Sequence, residues 1–384
     1  MTVYNPKDLP QELLNIPESS FEALKQDDIK DEGFKTKPIG FFRDAAIRLA
    51  KNKLSLVSLI IIVVIALMAI FVPMYSGYDY KEQNVKAKYL PAKIPGLCNI
   101  GIADGTRVLN NRKVASLSDT TRYPNDCIIE YFDVYTDMGF EMCSVKVDYY
   151  KMMGIPEDEY HWFGTDGLGR DYMTRVFIGT RISLLIALIS VITNFTIGIV
   201  YGAISAYYGG KVDMVLTNLA QVIQGLPYVV VTMLFMMLFG SGMFSIILAL
   251  CAMGWIGTAT LTRAQFYRFK TREYVLAART LGVRDRTLIF RHILPNCVGP
   301  LITQAMISIP AAIFSEAFLS YIGLGIIPPD TSIGVLLSEA QETLLTYPGI
   351  TMYPAAVVSL LMIAFNLFAN GLRDALDPSK RGEA

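Results

Sequence analysis

Long apolar runs without charge, separated by polar or basic stretches, dominate the chain. A hydrocarbon core of about 30 Å needs roughly 20 apolar residues in a helix, and several runs reach that length. Leu54 to Val72 is the first, between Lys53 and Pro73, and Ile182 to Tyr208 is the second. Met214 to Thr262 carries no charge and is long enough for two spans, with Gly240, Ser241 and Gly242 as the turn between them. A fifth run follows Arg291 and ends at Glu316, and a sixth extends from Tyr353 to Gly371. The pattern predicts an all-α polytopic membrane protein with six transmembrane helices. The composition agrees, because 53% of the 384 residues are hydrophobic and only 18% charged, too apolar for one soluble core. The first run starts after a long polar tail, so it is expected to stay as a span and not to be cleaved as a signal.

Lys and Arg near the span ends set the orientation. Arg43, Arg48, Lys51 and Lys53 precede the first span, and eight basic residues from Arg263 to Arg291 fill the segment between spans four and five. Six spans that start inside put both groups, and the tail with Arg373, Lys380 and Arg381, in the cytoplasm. Two regions fall outside the membrane pattern. Met1 to Pro38 reads as a solvated or partly helical cytoplasmic extension. Tyr75 to Tyr160 is polar and Tyr-rich, and Cys127 to Tyr135 within it has strand composition, so a small extracytoplasmic domain is expected there.

The chemistry of an enzyme is not evident. The net charge of zero excludes a globally basic nucleic-acid binder. His161 and His292 fall on opposite sides of the membrane in this topology and cannot share a metal or a triad. Near Lys211, Ser205 and Val212 occupy places where a phosphate-binding loop needs Gly and Ser/Thr. No catalytic, cofactor or metal site is therefore expected in this chain. The five cysteines lack metal or redox spacing and read as small apolar residues, and Cys98, Cys127 and Cys143 allow at most one bridge among them. Glu316 is expected to be an interfacial carboxylate in water, and Asn194, Gln221, Gln224 and Asn366 to hydrogen-bond between helices. Without a nucleotide site or intramembrane charges of its own, the chain is expected to take its energy from a partner.

The basic segment between spans four and five contains EYVLAARTLGVRDRTLIFRHILPN, residues 273–296. Glu273 to Leu281 can form a helix, with the Glu273 carboxylate in its first turn. Gly282 stands where a helix end needs positive φ, and Asp285 is placed to cap a second helix leading through Pro295 into span five. Ala277 and Ala278 make one face of the first helix nearly flat, open to close approach by another protein.

This segment resembles the EAA coupling loop of binding-protein-dependent ABC importers in its paired Ala277 and Ala278, Gly282, Leu294 and Pro295. Residues 52–64, 161–184, 317–329 and 364–378 are similar, in order, to the OppC/DppC-like branch for peptides. Leu276 stands where the family usually has Glu, and Glu273 lies three residues earlier, as in many peptide permeases. The external segment is longer than in short members of the branch, and the resemblance implies no role for it.

The resemblance implies the type I ABC importer permease fold and one half of a peptide pore. It also implies a second homologous permease, two ATP-binding subunits that hold ATP and Mg, and an extracytoplasmic peptide-binding protein. Membrane lipid surrounds such a chain in the bacterial cell membrane. Glu273, Leu276, Ala277, Ala278, Gly282, Leu294 and Pro295 are then the ATPase-coupling residues. Oligopeptides are the expected substrate, with dipeptides or nickel chelates as alternatives within the class, and a self-sufficient channel or carrier as the alternative outside it. The expected organisation is an extension over 1–38, a juxtamembrane segment and first helix over 39–75, an inserted domain over 76–160, a core over 161–372 with its loop at 263–295, and a tail over 373–384.

Overall fold

The computed structural model describes residues 40–124 and 126–376. The expected extension over 1–38 and most of the tail after Leu376 lie outside the described residues. Helix α1 (Phe41–Lys51) is followed by α2 (Lys53–Tyr75), whose start is capped by the Asn52 side chain accepting from the Leu54 and Ser55 amides. The remaining long helices are α4 (Tyr172–Tyr208), α7 (Met243–Phe269), α10 (Leu294–Tyr321) and α12 (Pro348–Leu376). Between α4 and α7 lie α5 (Gly210–Gln224) and α6 (Tyr228–Phe239). Among the described residues, five helices are long and apolar enough to cross a membrane, and the α5–α6 pair makes a sixth, bent by 81°.

The bend corrects the expectation of two plain spans in Met214 to Thr262. The division at Gly240–Gly242 holds, because α6 ends at Phe239 and α7 starts at Met243. The first half is broken at Gly225–Pro227, where proline has no N–H to donate and disfavours helix in the residue before it. Helix α6, with 12 residues, is too short to span alone.

Small residues bring α4 and α7 together. A Cβ at Gly198 would lie 2.7 Å from the Trp255 carbonyl oxygen, and one at Gly202 would strike the Ala259 carbonyl, the close approach that membrane helices use for lack of a hydrophobic driving force. Much of α2 stays exposed, with Leu56, Val57, Ile60, Val63 and Val64 all outward, as a lipid-facing helix requires. Of the four polar residues expected to bridge helices, Asn194 does so, donating to the Leu250 carbonyl at 3.3 Å. Gln221, Gln224 and Asn366 instead lie exposed on the chain's surface.

The segment after α2 forms a small antiparallel sheet of β1 (Thr106–Lys113), β2 (Ile128–Asp137) and β3 (Phe140–Asp148), in the order β1-β3-β2. Central β3 supplies its core: Cys143, Val145 and Val147 are fully buried with Cys127 and Tyr123. All five cysteines are free thiols in this structure. A short α3 (Tyr149–Met153) ends at Gly154, and the chain then enters α4. The insert touches the core on either side of α11 (Ile333–Gln341). Lys81 pairs with Asp330 at 2.9 Å, and Tyr347 stacks on Tyr89 at 4.0 Å with the Arg107 guanidinium over its ring.

Candidate functional site

The basic segment folds as two helical pieces hinged at a glycine. Helix α8 (Glu273–Thr280) follows Arg272, with Glu273 in its first turn. It closes with Gly282 at φ +78°, the Val283 amide donating to the Ala278 carbonyl at 3.2 Å and the Gly282 amide to Arg279 at 3.0 Å. A side chain at Gly282 would meet no other group within 4 Å, so it is the left-handed backbone, not crowding, that favours glycine. A short turn, α9 (Asp285–Thr287), then opens into a π-helical stretch over Leu288–Ile293 that runs into α10. Pro295 explains the widened turn, since its ring conflicts with the carbonyl four residues back and it cannot donate.

One correction concerns Asp285. Arg284 occupies the N-cap position, and the Asp285 carboxylate instead accepts from the Tyr207 hydroxyl at 2.5 Å. This bond ties the loop to the end of α4. Val275 and Ala278 turn inward onto Phe266, Leu288, Ile293 and Cys297, so α7, α8, α4 and the start of α10 share one buried cluster. Lys270, just past α7, donates to the Ala206 carbonyl at 2.8 Å, and partial burial holds its ammonium below the usual lysine range. Burial likewise raises the Tyr274 phenol. Beside this cluster Asp213 receives Arg263 in bidentate fashion at 2.6 and 2.5 Å, together with Ser205 and Tyr267, locking α4, α5 and α7.

The structure brings Glu273, Leu276, Ala277 and Gly282 to one outward surface, Leu276 being 46% exposed. Ala278 turns away from it into the core, so the two alanines do not share a face. Leu294 packs against the buried cluster and Pro295 lies exposed in the first turn of α10, both beyond the π stretch. Leu281, which the motif did not single out, is 83% exposed immediately before Gly282. Its signal was an apolar residue at the helix end that no 3.6-residue pattern would bury. What this arrangement can do is mechanical: a rigid, partly apolar knob framed by arginines, welded to three spanning helices.

At the other end of the bundle is a buried ionic cluster. Asp166 accepts from Arg170 Nε at 2.7 Å and from Arg175 at 2.6 Å, and Arg175 also donates to Glu339 of α11 at 2.7 Å. The Arg175 side chain is wholly buried. Asp171 caps α4 by accepting from the Thr174 amide at 2.9 Å, and His161 lies 2.9 Å from the same carboxylate. By chain connectivity His161 and His292 are at opposite ends of the bundle. Glu316 corrects the expectation of a carboxylate in water. It is fully buried in α10 and accepts from Ser183 at 2.7 Å and Ser320 at 2.9 Å, while Ser183 accepts from the Ile333 amide. Sequence reasoning missed both features because the contacts that bury them, Glu339 to Arg175 and Ser183 to Glu316, come from distant helices.

Comparison with known proteins places these features in a family. Residues 198–382 match the binding-protein-dependent transport system inner membrane component, and residues 40–92 match the N-terminal TM domain of oligopeptide transport permease C. The oligopeptide transport system permease protein OppC of Bacillus subtilis (strain 168) is 34% identical over 367 residues, covering 96% of this chain and 99% of that one. The dipeptide transport system permease protein DppC of the same organism is 32% identical, covering 97% and 96%. Among solved structures, the inward-facing MetNI methionine ABC transporter aligns at 15% identity and a TM-score of 0.46, over 53% of this chain and 97% of that one. The chain belongs to the binding-protein-dependent transport permeases and, within them, to the OppC/DppC peptide-permease branch.

Proposed function

We propose that this chain forms half of the translocation pore of an ATP-driven importer for oligopeptides in the bacterial cell membrane. A second homologous permease completes the pore, two ATP-binding subunits dock on the basic loop, and an extracytoplasmic binding protein delivers the peptide. The observation that carries this reading is the loop itself. Its outer surface of Glu273, Leu276, Ala277, Leu281 and Gly282 is exposed, while its inner face is joined to α4, α7 and α10 through Val275, Ala278 and Asp285. A push on the loop from closing ATPases therefore moves the spans instead of bending the loop. Membership of a branch whose curated relatives are oligopeptide and dipeptide permeases supports the peptide substrate.

The test is co-purification of the tagged chain from its native membrane, with partners identified by mass spectrometry. A second permease, two ATPases and a binding protein are expected, and the peptide on the binding protein identifies the substrate. Recovery of the chain alone, with flux from the purified chain, would favour a self-sufficient carrier instead.

Both termini are cytoplasmic in this reading, and the insert over 76–160 is external, where it is placed to steady the docked binding protein. Cys98 in the insert is half-buried, whereas Cys127 and Cys143 are fully buried and burial pushes both thiols up. A membrane-impermeant maleimide is thus expected to label Cys98 in right-side-out vesicles and to spare the other two until denaturation. Labelling of Cys98 only after the vesicles are opened would reverse the topology.

A further inference from the structure

Helix α5 has two unlike exposed sides. At 100° per residue, Asp213 and Ala220 face the core, and Val215, Leu219 and Val222 form an apolar outer side, each at least half exposed. Asn218, Gln221 and Gln224, spaced three residues apart, are all exposed along a stripe that winds from the edge of that side toward the core side, with Met214 exposed beside it. An apolar outer side suits lipid. Three exposed carboxamides do not, because an unpaired amide in hydrocarbon is costly, and polar residues of spanning helices face water or protein.

The depth of this polar side follows from its packing. Ala220 and Ile223 rest on Trp255, Ile256 and Ala259 of α7. Counted from Phe269, where α7 meets the basic loop, these lie about 15 to 21 Å into the bundle at 1.5 Å per residue, near the middle of a bilayer about 30 Å thick. Just beyond Gln224 the Leu226 amide turns to the Ile223 carbonyl, Pro227 has no N–H, and the regular helical ladder stops at the 81° bend. Non-helical backbone at membrane depth is tolerated where it is covered by protein or lines a water-filled cavity, not where it faces lipid, and broken helices there often border a binding site.

We infer that the face of α5 formed by Asn218, Gln221 and Gln224 lines the translocation path and hydrogen-bonds the backbone of passing peptides. The inference rests on the importer reading and adds the residues that meet the substrate. Each carboxamide offers both a donor and an acceptor, the pair that every peptide bond presents whatever its side chain. The face is also neutral, so it holds neither cationic nor anionic peptides back. A path of this chemistry passes peptides of many sequences and leaves selection to the delivering protein.

The test replaces Gln221 and Gln224 together with Leu in the complete importer, and each singly with Asn. Uptake of short neutral, basic and acidic peptides is expected to fall at least tenfold for the Leu pair and by a similar factor for all three classes. The Asn variants are expected to keep most of the uptake, and the complex to keep its subunits. Cysteines placed at 218, 221 and 224 in a cysteine-free background are expected to react with a small aqueous thiol reagent in the assembled complex, while those at 215, 219 and 222 stay unreactive. Unchanged uptake by the Leu pair would overturn the inference, as would loss of the second permease from the complex, which would make the face a subunit interface. Failure of the unaltered complex to take up peptide would instead bring down the importer reading.

Discussion

Gly282→Asp is expected to abolish peptide uptake while leaving the chain inserted at its normal level. The fold should survive, because Gly282 adopts φ +78° with open space around it, and Asp is among the residues that tolerate this conformation best. What changes is the outer surface. A carboxylate would stand next to Leu281, in the area proposed to be covered by an ATPase, and an uncompensated charge buried in an interface costs about 3–5 kcal/mol. At about 1.4 kcal/mol per tenfold, that is a loss of at least two orders of magnitude in docking. Gly282→Asn keeps the shape without the charge and is expected to retain most of the uptake. Transport measured beside the amount of inserted protein and of co-purified ATPase decides the matter, and a Gly282→Asp variant transporting at the normal rate would remove the loop from the coupling role.

The largest loss of stability is expected from Asp166→Ala. This carboxylate accepts from the Leu168 and Arg170 amides at 2.8 and 3.0 Å, from Arg170 Nε and from Arg175. Removing it leaves the nearly buried Arg170 with only a distant contact to Glu339 at 3.6 Å, and leaves the wholly buried Arg175 with Glu339 alone. Breaking a buried pair in this way costs about 3–5 kcal/mol, because the remaining charge stays out of water. Glu339→Gln is expected to cost less than half as much, since the Glu339 side chain is 34% exposed and Arg175 keeps Asp166. Thermal unfolding of the purified complex measures both. Equal losses would show that Glu339 contributes as much as Asp166 to holding the end of α4, against the expectation.

Much of the molecule was legible in the chain because membrane insertion is decided locally. A run such as Leu54 to Val72 satisfies its backbone hydrogen bonds within itself, so length and composition suffice to identify it. The Gly240–Gly242 turn and the Gly282 helix end were legible for a similar reason, each being a backbone conformation that glycine takes without strain. The 81° break had a local signal in Pro227, but a run judged only by its lack of charge conceals a break in direction. Cys127 to Tyr135 announced a strand, and the structure places it at Ile128–Asp137, a shift at the ends where pairing with β3 decides.

The site was legible as a motif but not as a surface. Ala277 and Ala278 are neighbours in sequence, yet only one faces outward, because at 100° per residue the helix that buries Val275 must also bury Ala278. Asp285 looked like a cap until Tyr207, far away in sequence, took its carboxylate.

The chain by itself determined which stretches are long and apolar enough to cross a membrane and where the motif of Ala277, Ala278 and Gly282 stands, since each depends on residues within one helical segment and its solvent. Only the tertiary structure decided that Glu316 is buried, that Arg175 joins Asp166 to Glu339, and that Asn218, Gln221 and Gln224 are left exposed. Such pairings depend on which helices become neighbours, and that is settled by close packing at positions such as Gly198 and Gly202, not by any property of a single segment.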